Sequence, residues 1–220
     1  MFNVCPVCGM YEVSKTISHE DAKRYAVCSA CGFQHPFLQL PLFVLTGASG
    51  TGKSACALTL AAHTTEYVVM ETDILWDARY NTPDTHYREY REMWLRLAKN
   101  ISQSGKPVIL CGTAMPDQVE PCLERRYFSE AYYLALTCSD EEITKRLTGR
   151  PSWRESGGSA FLESMVNFNR LFRENGNRSQ PNIDILDTTG ITVEDTARTV
   201  LEWVRVRARC HVNGAHVKGA

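Results

Sequence analysis

The chain has 220 residues, 44% of them hydrophobic and 22% charged, a balance that suits one α/β domain with a small appendage. Its formal net charge of −1 excludes the basic excess of a large nonspecific nucleic-acid footprint. No apolar run approaches the ~20 residues of a membrane-spanning helix, and the N-terminus lacks a signal-peptide hydrophobic core, so no membrane partner is expected.

The first feature along the chain is a pair of C-x-x-C-G knuckles, Cys5-Pro6-Val7-Cys8-Gly9 and Cys28-Ser29-Ala30-Cys31-Gly32, with nineteen residues between Cys8 and Cys28. That spacing is that of a four-cysteine metal site. The glycine after each pair lets backbone N–H groups turn toward the sulfurs. Four thiolates leave no open coordination position, which predicts a structural Zn²⁺ on Cys5, Cys8, Cys28 and Cys31; iron or a redox dithiol are the alternatives. Residues 10–27, with Lys15, Lys23 and Arg24, read as a short hairpin or loop. So small a module buries little core, and the metal supplies folding energy. Residues 3–35 resemble zinc ribbons with rubredoxin-like knuckles. Such a module, placed over 1–37, binds nucleic acid or a protein, or caps one edge of the following domain.

Pro36 to Pro41 reads as a linker. Leu42-Phe43-Val44-Leu45 is an apolar run of buried-strand type, followed by Gly47-Ala48-Ser49-Gly50-Thr51-Gly52-Lys53-Ser54 and a helix-favouring stretch from Ala55 to Ala62. Strand, glycine loop and helix give G-x-x-x-x-G-K-S the context of a phosphate-binding loop. The glycines allow the backbone to wrap the phosphates, and the helix aims its positive N-terminus at the same anion. Lys53 is placed to reach the β- and γ-phosphates, and the Ser54 hydroxyl to ligate Mg²⁺. A chain that needs ATP and carries nine cysteines, an odd number, fits the reducing cytoplasm better than a disulfide framework. Cys56, Cys111, Cys122, Cys138 and Cys210 are scattered and read mainly as core thiols.

Tyr67-Val68-Val69-Met70 is the next strand, and Glu71-Thr72-Asp73 follows at its carboxyl end. One of these carboxylates can orient Mg²⁺ and the other can accept the acceptor hydroxyl's proton; Asp73 also fits the N-cap of a helix starting at Ile74. Tyr87, Tyr90, Trp94, Leu97, Ala98 and Ile101 recur at helical spacing over 85–103, ended by Gly105. Residues 107–111 form a strand with no acid at its end, unlike a motor-type ATPase, and Gly112-Thr113 follow. Residues 131–137 form another strand, and Ser139 or Asp140 caps a helix over 140–148. Arg146, Arg150 and Arg154 recur every four residues around the breakers Gly149 and Pro151, which reads as a flap whose guanidinium groups close over a transferred phosphoryl group. Phe161, Met165, Phe168, Leu171 and Phe172 mark a helix, and 183–186 the last strand. Asp187 to Gly190 is placed to border an adenine. The final helix is capped by Thr192 with Asp195 at its third position, and 210–220 reads as a flexible tail. Strands alternating with helices predict a parallel sheet covered on both faces, with ligands at the strands' carboxyl ends.

Residues 41–207 resemble the small-molecule kinase branch of P-loop proteins, the group of shikimate and gluconate kinases, chloramphenicol phosphotransferase and nucleoside or nucleotide kinases. Gly47, Gly50, Gly52, Lys53 and Ser54 match the loop, Glu71 and Asp73 stand in the D-x-D position with Glu replacing the first Asp, and Arg150-Pro151 resembles the lid's Arg-Pro step. The resemblance implies a P-loop NTPase fold over 41–209, three α/β/α layers on a five-stranded parallel sheet, and an ATP- and Mg²⁺-dependent kinase. The Gly-Gly-Gly of shikimate kinase is absent after the third strand, and a full set of AMP-binding arginines is not identifiable. Trp76, Arg79, Tyr80, Tyr87, Arg88 and Arg91 offer aromatic surface and positive charge for a small-molecule acceptor, nucleoside- or nucleotide-like first. Two rivals remain: a nucleotide switch whose ribbon contacts nucleic acid or a protein, and a hydrolase with no acceptor.

Overall fold

The cysteine knuckles frame a three-stranded antiparallel sheet. The computed structural model describes residues 3–20, 23–151 and 158–217, beginning with β1 (Thr16–Glu20), β2 (Lys23–Val27) and β3 (Gln34–Phe37). β1 pairs with β2 so that Thr16 faces Val27 and Glu20 faces Lys23, and β2 pairs in turn with β3. Gly9 and Gly32 take φ of 75° and 72°, and their N–H groups donate to the carbonyls of Cys5 and Cys28 at 2.9 Å each. The hairpin expected between the knuckles forms. The linker expected over Pro36 to Pro41 needs correction, because Pro36 and Phe37 belong to β3. β3 lies at the edge of its sheet, where a proline's missing N–H removes no ladder bond.

The body contains β4 (Leu42–Thr46), α1 (Lys53–His63), β5 (Val68–Glu71), α2 (Arg88–Ser102), β6 (Val108–Cys111), α3 (Pro116–Val119), β7 (Ala131–Thr137), α4 (Asp140–Thr148), α5 (Ser159–Asn175), β8 (Ile183–Asp187) and α6 (Val193–Val217). Its five strands are parallel in the order β5-β6-β4-β7-β8. Every residue of β4 and β6 is buried, which is why both read as continuous apolar runs rather than alternating ones. Successive side chains of β4 go to opposite faces. Leu42 and Val44 join a core with Trp94, Ala98 and Phe172, while Phe43 and Leu45 join one with Leu60, Val200 and Val204. α2 and α5 therefore cover one face, and α1 and α6 the other.

Three elements differ from the sequence expectation. The helix expected over 85–103 starts at Arg88, after short 3₁₀ turns at Thr72–Leu75, Ala78–Tyr80 and Pro83–Thr85; His86 and Tyr87 take left-handed φ of 52° and 58°, which no α-helix accommodates. Asp73 lies inside the first of those turns, with Glu71 in the N-cap position, so the alternative reading of Asp73 as an N-cap is corrected. Where a tail was expected from 210, α6 continues to Val217, and residues 218–220 lie outside the described residues. The expected caps are present. The Ser139 hydroxyl accepts from the N–H of Glu142 at 3.2 Å, and that of Thr192 from the N–H of Asp195 at 3.1 Å. Among the described residues no helix is long and apolar enough to cross a membrane.

The ribbon packs against the body through α2 and the 3₁₀ turn Leu123–Tyr127. Phe37 meets Tyr127 edge-to-face at 5.4 Å between ring centroids, and the Tyr127 hydroxyl donates to the Val13 carbonyl at 3.3 Å. Arg126 donates to the carbonyls of Ser14 and Lys15. Gln103 bonds both the N–H and the carbonyl of Leu38, at 2.9 and 3.1 Å.

Candidate active site

At the carboxyl end of β4 the chain turns through a loop that only glycine can form. Gly47 has φ 137°, and a Cβ there would stand 2.3 Å from the Leu136 carbonyl oxygen. Gly50 and Gly52 take φ of 94° and 99°. Gly52 is the N-cap of α1, and no side chain caps that helix, so its first-turn N–H groups face a cavity of about 370 Å³. Ser49, Gly50, Gly52, Lys53 and Ser54 line this cavity together with Glu71, Asp73, Thr113, Arg146 and Arg150. Ala48 and Thr51 are buried behind it. The Lys53 ammonium donates to the carbonyls of Gly47 and Ala48 at 2.7 and 2.9 Å.

Burial lowers the Lys53 pKa to about 8, against the pull of the Asp73 carboxylate, with Arg150 adding to the lowering. A bound polyphosphate favours the charged ammonium and raises that pKa, so affinity is complete below pH 8 and falls as pH climbs toward the complex's higher value. Nucleotide binding at pH 8.5 is therefore expected to take up a proton, read as a dependence of the calorimetric enthalpy on the buffer's ionisation enthalpy. Binding without that dependence would contradict the role given to Lys53.

Three cations and two carboxylates around one cavity suit a polyanion carrying a divalent metal. The uncapped N-terminus of α1 and the glycine cradle fit phosphate oxygens. Ser54, exposed beside Glu71 and Asp73, supplies the hard oxygen donors that Mg²⁺ takes. Two threonines, to whose side chains sequence reading gave no role, hold this end of the sheet. Thr113 donates to the Gly47 carbonyl at 3.0 Å, and buried Thr72 donates to the Cys111 carbonyl at 3.2 Å. Gly112 leaves room for Thr72, since a Cβ there would lie 1.9 Å from its hydroxyl oxygen. Their position between the two acids and after the glycine was the available signal.

The arginines separate into two kinds. Arg146 lies within α4, not on the flap, because the breakers Gly149 and Pro151 come after it; that expectation is corrected. Its guanidinium pairs with Glu142 at 2.9 Å and donates to the Gly50 carbonyl and to Thr188, so it holds the loop from the side. The Thr188 hydroxyl in turn donates to the Thr137 carbonyl at 2.9 Å and lies 3.3 Å from the Thr51 carbonyl oxygen, which brings the segment after β8 against the loop. Arg150 follows the end of α4 and also faces the cavity. Arg154 falls outside the described residues.

Beyond Asp73, α2 presents a buried cation. Arg91 is 6% exposed and lies over the Trp94 ring with its guanidinium carbon 4.0 Å from the centroid. It donates to the Thr113 carbonyl at 2.8 Å, while its Nε has no hydrogen-bond partner among the described residues. Burial lowers its pKa to about 10. Tyr90 anchors the same helix to the acidic segment by donating to the Thr72 carbonyl at 2.8 Å. Trp76 stands half-exposed over Tyr90 and Tyr87, 5.2 and 6.4 Å between centroids. Arg79 and Arg88 are exposed, and Tyr80 is buried.

The four ribbon cysteines converge. Their Sγ atoms all lie within 4.8 Å of one another, with Cys5–Cys31 and Cys8–Cys28 at 3.6 Å; a tetrahedral Zn–S₄ centre requires roughly 3.8 Å. The N–H groups of Cys8 and Val7, aimed at the Cys5 sulfur, bring its thiol down to about 6, and that of Cys31 leads the lowering at Cys28. These donors fit bound thiolates. Cys56, Cys111, Cys122 and Cys138 are buried thiols of the body.

The chain belongs to the AAA domain family, whose model matches residues 44–164, more than half of it. Its body has the P-loop kinase fold. A gluconokinase from Sinorhizobium meliloti 1021 superposes with a TM-score of 0.55 at 17% identity, covering 80% of this chain and 99% of that one. A shikimate kinase from Acinetobacter baumannii gives 0.53 at 14% identity, covering 76% and 94%, and the tunicamycin resistance protein of Deinococcus radiodurans 0.51 at 17%, covering 76% and 96%. No curated protein matches the sequence.

Proposed function

We propose that this chain is an ATP- and Mg²⁺-dependent kinase that phosphorylates a small molecule, nucleoside- or nucleotide-like acceptors first. The carrying observation is one cavity where the glycine loop and Lys53 meet Asp73 and Arg150. Lys53, Arg146 and Arg150 offset charge on the transferred group, while Ser54 and Glu71 would hold Mg²⁺, which would supply further positive charge against the phosphates. Asp73 takes the acceptor hydroxyl's proton as its oxygen bonds the γ-phosphorus and the bond to the β–γ bridging oxygen breaks, releasing ADP. The partly unsatisfied Arg91 suits an anionic group on the acceptor and Trp76 a planar ring. The same reading places a zinc ribbon over 1–37, a kinase-like unit over 41–209 and the protein in the cytoplasm.

Asp73→Asn tests the assignment. The account predicts a loss of about 10²–10⁴-fold in phosphorylated product with nucleotide affinity retained in a parallel titration. Undiminished turnover would remove Asp73 from the mechanism. A second reading, a nucleotide switch whose ribbon contacts nucleic acid or a protein, draws support from Val7 and Tyr11, 65% and 60% exposed on the ribbon. The near-zero net charge weighs against its nucleic-acid form.

A further inference from the structure

The helix that carries Arg91 toward the acceptor side is held at its other end by the ribbon. Lys99, wholly buried, donates to Glu124 at 2.6 Å and to the side-chain oxygen of Asn3 at 2.8 Å. Asn3 stands two residues before Cys5 in the sequence. Glu124, also wholly buried, accepts from Arg96 of the same helix at 2.9 Å. Glu92, one turn nearer the acceptor end, accepts from the N–H groups of Leu123 and Glu124 at 2.6 and 3.1 Å. Gln103 adds the paired bonds to Leu38. Toward the other end, Tyr90 and Arg91 bond the carbonyls of Thr72 and Thr113.

A helix of 15 residues moves as a rod about 22 Å long, so whatever fixes its last turns also sets its first. A buried ammonium needs each of its donors satisfied, and here one acceptor comes from the ribbon. The ribbon is thus part of the burial of α2 rather than an appendage beside it.

We propose that the metal-bound ribbon is a brace on the acceptor-side helix, with Asn3, Lys99 and Glu124 as the joint, so that an intact ribbon sets acceptor affinity and leaves nucleotide binding unchanged. The acceptor part rests on the kinase reading; the brace does not. Asn3 and Lys99 are positioning residues, remote from the phosphate loop's cavity.

The test uses the full zinc-loaded chain, wild type against Asn3→Ala and Asn3→Asp, with hydrogen exchange, zinc content and nucleotide titration on each. Asn3→Ala is expected to keep its zinc and its nucleotide affinity and to speed exchange over 88–102 and 123–127, including the turn that bears Tyr90 and Arg91. Its acceptor KM should rise about fivefold, the worth of one hydrogen bond, with kcat little changed. Asn3→Asp restores an acceptor for Lys99 and should return both readings. Stripping the metal with a chelator should reproduce the exchange pattern. Should Asn3→Ala fail to fold, Gln103→Ala, which cuts the bonds to Leu38, reads the same coupling. Exchange unchanged in α2, or altered only within residues 3–37, would overturn the brace. Wild-type protein that transfers no phosphoryl group would instead fault the kinase reading, while the exchange data still decide the brace.

Discussion

Lys53→Ala should lower phosphoryl transfer by about 10³-fold, the scale on which one preorganised electrostatic group acts at a transition state. The Lys53 ammonium is held by two loop carbonyls at 2.7 and 2.9 Å, so it is positioned before any ligand arrives and little reorganisation accompanies the reaction. It also lies within electrostatic reach of Asp73, Arg150 and Glu71, the groups that would surround the transferred phosphoryl. Alanine removes the charge at the mouth of α1 and leaves the glycine turns intact. The expected signature is a fall in kcat together with weaker nucleotide binding, measured by product formation and titration on a variant whose thermal unfolding matches the wild type. Turnover within about tenfold of wild type would place the phosphates elsewhere.

Glu124→Gln should destabilise the chain by about 3–5 kcal/mol, the range for removing one partner of a buried ion pair. Glu124 is wholly buried and is the carboxylate facing both Lys99 and Arg96. Glutamine keeps the shape but leaves two cations sharing a neutral acceptor, one of them without access to water. In thermal unfolding this should appear as a midpoint about 10 °C lower. A double change of Lys99→Met with Glu124→Leu, which removes the charges together, should recover much of the loss. A midpoint within two or so degrees of wild type for Glu124→Gln would show that solvent reaches the pair.

The phosphate loop was legible because its chemistry is local: glycine positions with positive φ, a lysine and a hydroxyl at fixed spacing between an apolar strand and a helix. The four cysteines were legible for the same reason, since metal geometry constrains spacing. Strands of continuous apolar residues announced a sheet buried on both faces, and β7 and α4 kept their expected bounds. Non-local features were less visible. Nothing near Lys99 in the chain signals that it is buried against Glu124 and Asn3, because the three meet only after folding. The start of α2 was misplaced because Tyr87 keeps the apolar period while its backbone is left-handed. Arg146 and Arg150 look alike by spacing, yet one falls before the helix breakers and the other between them.

The central claim is transfer of a phosphoryl group to a small molecule at the Lys53–Asp73 cavity. The most direct measurement is mass spectrometry of a pool of nucleosides, nucleotides, sugars and aminoglycoside- or phenicol-type compounds incubated with the protein and Mg-ATP, with Lys53→Ala alongside. The account predicts an acceptor that gains one phosphoryl group with the wild type and not with the variant. ATP converted to free phosphate with every compound unmodified would contradict it.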